Sequence, residues 1–129
     1  MRKLIILLMV MLIFALVSGI AAAKEISVNS TDSIQNAVNN AASGDVIIVK
    51  PGTYNENIKV TTQSLVIRSE SGKPENTIIK AVPNTSVFNV AAINTTISGF
   101  RIESGETGIY LVRCSDCTII NNELSDNKH

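Results

Sequence analysis

The sequence predicts an all-β protein: a right-handed parallel β-helix of about four coils, with a short capping α-helix at its amino-terminal end. Three observations predict it. Trp is absent and aromatics are few, while Asn, Ser and Thr surround clusters of Ile and Val, a bias toward strands and turns. Apolar residues recur at a period near 22: Leu65, Val87 and Ile109 are equally spaced, Ile67 and Leu111 lie at twice that spacing with Asn89 between, Ile97 recurs as Ile119, and Ile58, Ile102 and Leu124 share a further column. Such a period with several short strands is the mark of a coiled solenoid. Hairpin signals of the Asn-Gly type are missing, which weighs against the alternative of a small antiparallel sandwich.

Residues 1–23 read as a signal peptide. Arg2 and Lys3 precede an uninterrupted apolar run over 4–17, and Ala21-Ala22-Ala23 supplies small residues for cleavage after Ala23. An uncleaved membrane anchor is the alternative, since 4–23 is just long enough to span a bilayer. No Cys follows the run, which argues against a lipoprotein anchor. Cleavage removes Arg2 and Lys3 from a chain of balanced charge and so leaves a net charge of −2, without a basic cluster. Nucleic-acid binding is therefore not expected.

The mature part, 24–129, divides into a cap over 24–45 and coils over 46–129. A first strand is expected over 24–28, with Ile26 and Val28 on one face. Ser30 or Thr31 can cap a following helix, and Asp32 suits its positive end. Ile34, Val38 and Ala41 fall at helical spacing. Gly44 is placed to end that helix in the left-handed conformation.

Val46-Ile47-Ile48-Val49 is a β-branched run fit for a strand covered on both faces, and Val46 and Ile109 are expected on inward columns. Pro51-Gly52 suits the centre of a type II turn. Ile58 and Val60, then Leu65 and Ile67, alternate with polar residues. Later strands are expected near 77–80, 87–90, 97–102, 108–112 and 118–124. From Val46 to His129, a period near 22 leaves room for just under four coils. The final Ser125-Asp126-Asn127-Lys128-His129 reads as a turn toward a further strand, so a truncated or longer natural chain is expected.

Ser33-Ile34-Gln35-Asn36-Ala37-Val38, Ser43-Gly44-Asp45, Val46-Ile47-Ile48-Val49, Pro51-Gly52-Thr53-Tyr54 and Glu56-Asn57-Ile58 resemble the opening of pectin-lyase-like β-helix proteins. Gly108-Ile109-Tyr110-Leu111 and Thr118-Ile119-Ile120-Asn121-Asn122 resemble the repeats of NosD-type domains, of the carbohydrate-binding and sugar-hydrolase (CASH) class of cell envelopes. The resemblance implies a helix capping the solenoid. Catalytic groups of enzymatic relatives come from later coils, so no catalytic, cofactor-binding or metal-ligating residue is assigned here, and no cofactor is expected.

Cys114-Ser115-Asp116-Cys117 admits a local disulfide, free thiols packed in a turn, or part of a redox or zinc site. The exported setting favours the disulfide. Glu103, Glu106 and Asp116 either form a carboxylate cluster for calcium or glycoside chemistry, or are solvated turn charges, the favoured reading. Asn121 and Asn122 are expected to satisfy backbone groups in an asparagine ladder. Asn29, Asn84 and Asn94 open three N-glycosylation sequons.

The expected function is that of a secreted or cell-surface module without its own catalytic site, binding polysaccharide or a surface glycan or serving in a surface structure. One alternative is the amino-terminal part of a carbohydrate-active enzyme. Another is a fragment that associates with itself or a partner through its open C-terminal coil. Membrane contact is expected only if the first segment stays uncleaved.

Overall fold

The computed structural model describes residues 22–83 and 85–129. All but the end of the expected signal segment, and Asn84, lie outside them. Among the described residues, short strands and one helix follow in order: β1 (Glu25–Val28), α1 (Ile34–Asn40), β2 (Val46–Val49), β3 (Gly52–Asn55), β4 (Ile58–Val60), β5 (Val66–Ser69), β6 (Thr77–Lys80), β7 (Phe88–Val90), β8 (Thr96–Ser98), β9 (Arg101–Glu103), β10 (Ile109–Leu111), β11 (Thr118–Ile120) and β12 (Glu123–Ser125). A 3-10 turn at Pro74–Asn76 precedes β6. Among these residues no helix is long and apolar enough to cross a membrane.

Every strand pairing among the described residues is parallel. The strands form three sheets, ordered β1-β2-β5-β8-β11, β3-β6-β9-β12 and β4-β7-β10. Beyond the cap, consecutive strands lie in different sheets, and each sheet is built from successive turns of a solenoid: the chain is a parallel β-helix. The first sheet has five rungs, because β1 pairs with β2 in full register. It adds a turn to the four counted from Val46.

The inward columns hold the core together. Ile26, Ile47, Ile67, Ile97 and Ile119 stack through five rungs of one sheet. Tyr54, Ile79, Ile102 and Leu124 stack in the second, and Ile58, Phe88 and Ile109 in the third. No coil could bury this surface alone; stacking removes it from water from both sides. Phe88 and Phe100, both fully buried, fill the interior with ring centroids 6.0 Å apart.

The columns correct the repeat in detail. Ile97–Ile119 and Ile102–Leu124 are true partners, one full period apart. Leu65, Val87 and Ile109 share no column: Leu65 precedes β5 in the first sheet, whereas Phe88, not Val87, pairs with Ile109. Ile67 pairs with Ile47 and Ile97 rather than aligning with Leu111, whose partner is Val90. Ile58 pairs with Phe88 in another sheet from Ile102. The reason is loop length. The connections after β5 and β6 stretch the step from Val66 to its partner Thr96 well beyond the period, so a step of 22 residues appears only between the last coils. Val46 is half-buried, while its neighbours Ile47 and Val49 are fully buried.

Short strands need sharp corners. Left-handed backbone recurs at Asn94, Gly99 and Ser104, then one period later at Asp116, Asn121 and Asp126. Gly99 and Asn121 thereby split the two longer strands expected over 97–102 and 118–124 into β8–β9 and β11–β12. Gly99 sits at φ +82, and a Cβ there would collide with Ser69 Oγ. Gly52 opens β3 at φ +154, away from the value of about +80° of a type II turn. A Cβ on Gly52 would meet that of Ser30 at 2.9 Å.

The helix lies against β1, β2 and β4. Its cap is Ser33, not Ser30 or Thr31: Ser33 Oγ accepts the Asn36 N–H at 3.1 Å. Asp32 instead holds the preceding turn, accepting the Asn29 N–H at 2.9 Å. The carboxylate at the helix start is Glu56, which accepts the Ile34 N–H at 2.8 Å and the Ser33 hydroxyl. The helix closes at Ala41, and Gly44, at φ +94, belongs to the turn beyond it. Gln35 acts as a substitute strand. Its Oε1 accepts the Lys59 N–H at 2.6 Å and its Nε2 donates to the Lys59 carbonyl at 3.1 Å, covering the β4 edge.

Candidate functional site

In a parallel stack every outward residue lies above its register partner, so side chains align along the solenoid axis. On the outer face of β4, β7 and β10 this places Lys59, Asn89 and Tyr110 in one file. Lys59 is exposed, and Tyr110 is half exposed. Three rungs span about 10 Å. Beside the file lies a cleft of about 170 Å³ lined by Asn57, Ile58, Lys59, Thr85, Ser86 and Asn89. Asn57 is fixed there by the next coil, its Oδ1 accepting the Val82 N–H at 3.0 Å. The surface thus offers an ammonium, amides, hydroxyls and an aromatic ring, the groups that hydrogen-bond and stack. Sequence reasoning missed this file because its members are far apart and unequally spaced along the chain.

The other candidates fall elsewhere. Cys114 and Cys117 adjoin as a disulfide with Cα atoms 5.7 Å apart. Their sulfurs lie 3.1 and 3.3 Å from the Ala92 carbonyl oxygen of the previous coil. The three acidic residues do not converge. Glu103 pairs with Lys80 at 3.5 Å and Glu106 with Lys128 at 2.9 Å, and the lysine holds the Glu106 carboxyl below its ordinary range. Asp116 sits exposed in the cysteine turn. His129 is exposed, 3.9 Å from Glu106.

The asparagine ladder is built, and it reaches further than the Asn121-Asn122 pair. Asn122 accepts the Phe100 N–H at 3.0 Å and donates to the Ile97 carbonyl at 2.9 Å. Asn127 repeats this with Gly105 and Ile102, both at 2.9 Å. Asn121 serves through its backbone, as a left-handed corner. Of the sequon asparagines, Asn29 and Asn94 are exposed. Asn29 is tied to Asp32 and Asn94 to Ser64 through their side-chain amides, at 2.9 and 3.2 Å.

At the last coil, inward residues lose their cover. Leu111 and Leu124 are 44% and 51% exposed, although their partners Val90 and Ile102 are fully buried. Ile119 is likewise 37% exposed above a buried Ile97.

The family model described as periplasmic copper-binding protein (NosD) matches residues 38–129. A cell surface glycoprotein of Methanothermus fervidus is 39% identical over 127 residues, which cover 93% of this chain and 21% of that protein. The chain therefore spans about a fifth of that relative's length. No solved structure matches. Copper favours imidazole, thiolate and thioether donors. Here His129 is the sole histidine, and the three methionines, Met1, Met9 and Met11, lie outside the described residues. Among the described residues no three His, Cys, Asp or Glu groups converge, and both cysteines are joined. These residues do not fit a copper centre.

Proposed function

We propose, from the premise that this chain belongs to the NosD family, that it is an extracytoplasmic surface module that binds glycan along one outer face and carries no catalytic centre of its own. The observation that carries the reading is the file Lys59, Asn89 and Tyr110 with its adjoining cleft. A sugar ring has an apolar face for Tyr110 and hydroxyls for the amides and the ammonium. A rigid sheet holds those groups in place before binding, so little conformational entropy is lost on contact. The periplasmic description of the family and the surface location of the glycoprotein relative support a place outside the cytoplasm.

Retention on immobilised polysaccharides tests it. The wild-type domain is expected to bind at least one glycan, and Tyr110→Ala to weaken that binding about tenfold without altering the circular dichroism. Equal retention of Tyr110→Ala and wild type on every bound glycan would remove the file from the site.

A second reading rests on the uncovered Leu111, Ile119 and Leu124. They continue columns that are closed below, so the matching surface is one more parallel coil. Charged replacements at Ile119 and Leu124 should abolish any concentration-dependent association seen by sedimentation. Association that persists in both variants would assign it to another surface.

A further inference from the structure

Asp45 is a buried carboxylate, 4% exposed, at the corner between α1 and β2. Oδ2 accepts the Ala42 N–H at 2.8 Å, and Oδ1 accepts the Lys24 N–H at 2.9 Å. Its own N–H closes a turn on the Ala42 carbonyl at 3.0 Å, and its carbonyl accepts the Val66 N–H of the next coil at 3.1 Å. Among the described residues no ion pair reaches it. Both side-chain hydrogen bonds to this carboxylate come from neutral backbone N–H groups, so neither is yet charge-assisted. Among the described residues Lys24 is the first fixed to the solenoid, since its carbonyl also accepts the Val46 N–H at 2.8 Å. Ala22 and Ala23 before it are exposed and lie outside any strand.

We propose that proteolytic processing between Ala23 and Lys24 turns this neutral contact into an ion pair, making Asp45 the receptor for the new amino terminus. Water adds across the Ala23–Lys24 amide: the carbonyl carbon takes the hydroxyl and leaves as the Ala23 carboxylate, and the Lys24 nitrogen becomes an ammonium. The nitrogen need not move, because it already donates to Oδ1. Charge-assisted hydrogen bonds are about twice as strong as neutral ones, so cleavage tightens the first rung onto the second. The other charged groups on the elements around Asp45 are the Lys24 side chain, Glu25 on β1 and Arg68 on β5. Of these, only Lys24 acts on the Asp45 carboxyl by charge. The proposal shares with the glycan reading only the premise of export.

Intact mass of the exported protein, expressed with its full leader, should show Lys24 as the first residue. Three forms are then compared by urea unfolding at about pH 6: the chain beginning at Lys24, the same chain N-acetylated, and the chain retaining Ala22-Ala23. The free-amine form is expected to have an unfolding constant about tenfold lower than the other two. An amine paired with a carboxylate has a raised folded pKa. The advantage should therefore be complete below its unfolded value of about 8 and vanish as pH rises through the higher folded value. Asp45→Asn should remove it under the same mildly acidic conditions. Acetylation keeps the N–H donor and removes only the charge, so equal stability of free and acetylated forms would overturn the proposal. An exported chain with a different first residue would overturn it too, leaving the glycan reading untouched.

Discussion

Single residues set the corners of this solenoid. The left-handed positions at 94, 99 and 104 recur at 116, 121 and 126, and the residues there are Asn, Gly, Ser, Asp, Asn and Asp, types that tolerate or favour that conformation. Gly99 has no alternative, because Ser69 Oγ occupies the space of a Cβ. Gly99→Ala should cost about 1–3 kcal/mol in denaturant unfolding, and adding Ser69→Ala should recover part of it; an unchanged midpoint would place the corner elsewhere. Asp45 gives a pH prediction. Its two backbone N–H bonds, from Lys24 first and Ala42 second, lower its pKa below the ordinary 3.8. Its contribution is present above pH 3.8 and is lost as pH falls through the folded value. Asp45→Asn should therefore flatten the acid side of the stability profile. For Cys114 and Cys117, a thiol reagent should add no mass before reduction and two labels after it, and labelling without reductant would show free thiols. The pairing of Cys114 with Cys117 could be read from the sequence, but the left-handed corners and the bonds of Asp45 could not. Asn122 was legible as a ladder residue, whereas Asn127 follows the same coil-to-coil rule and was hidden in a polar tail.

Elements are held by partners from other coils, and this limits what local pattern can reveal. Helix α1 was legible from Ile34, Val38 and its flanking polar residues. Its start was not, because Ser30, Thr31 and Ser33 all carry a capping hydroxyl. The choice falls on Ser33 through Glu56, one coil later, which binds the Ser33 hydroxyl and the first helical N–H. Glu56→Ala should destabilise the domain by about 1–3 kcal/mol, seen as early loss of hydrogen-exchange protection in residues 34–40. Protection equal to wild type there would mean that local propensity alone fixes the helix. Tyr54 shows the same dependence across elements: buried in β3, its hydroxyl donates to the Lys50 carbonyl at 2.7 Å. Burial pushes its pKa upward.

At the scale of the whole molecule, the fold was legible because it repeats, and the outer face was not because the repeat is uneven. Even steps occur only where connections are short, as from Thr96 to Thr118. Longer steps carry Ile58 to Phe88 and Val66 to Thr96, and so scatter Lys59, Asn89 and Tyr110 along the chain while stacking them in space. The core column, the asparagine ladder and the outer file of Lys59, Asn89 and Tyr110 all depend on one register between coils. That register is tested most directly by paired cysteines on the outer face of the last two rungs of the first sheet. Ser98 and Ile120 are partners there, and Thr96 pairs with Thr118. Neighbouring parallel partners lie about 4.8 Å apart, within reach of a disulfide, whereas Thr96 and Ile120 are offset along the strand, about 8 Å apart, and out of reach. With the native cysteine pair intact, oxidation should cross-link Ser98→Cys/Ile120→Cys and leave Thr96→Cys/Ile120→Cys free. Cross-linking of the offset pair in place of the aligned one would contradict the register, and with it the surface on which the proposed function rests.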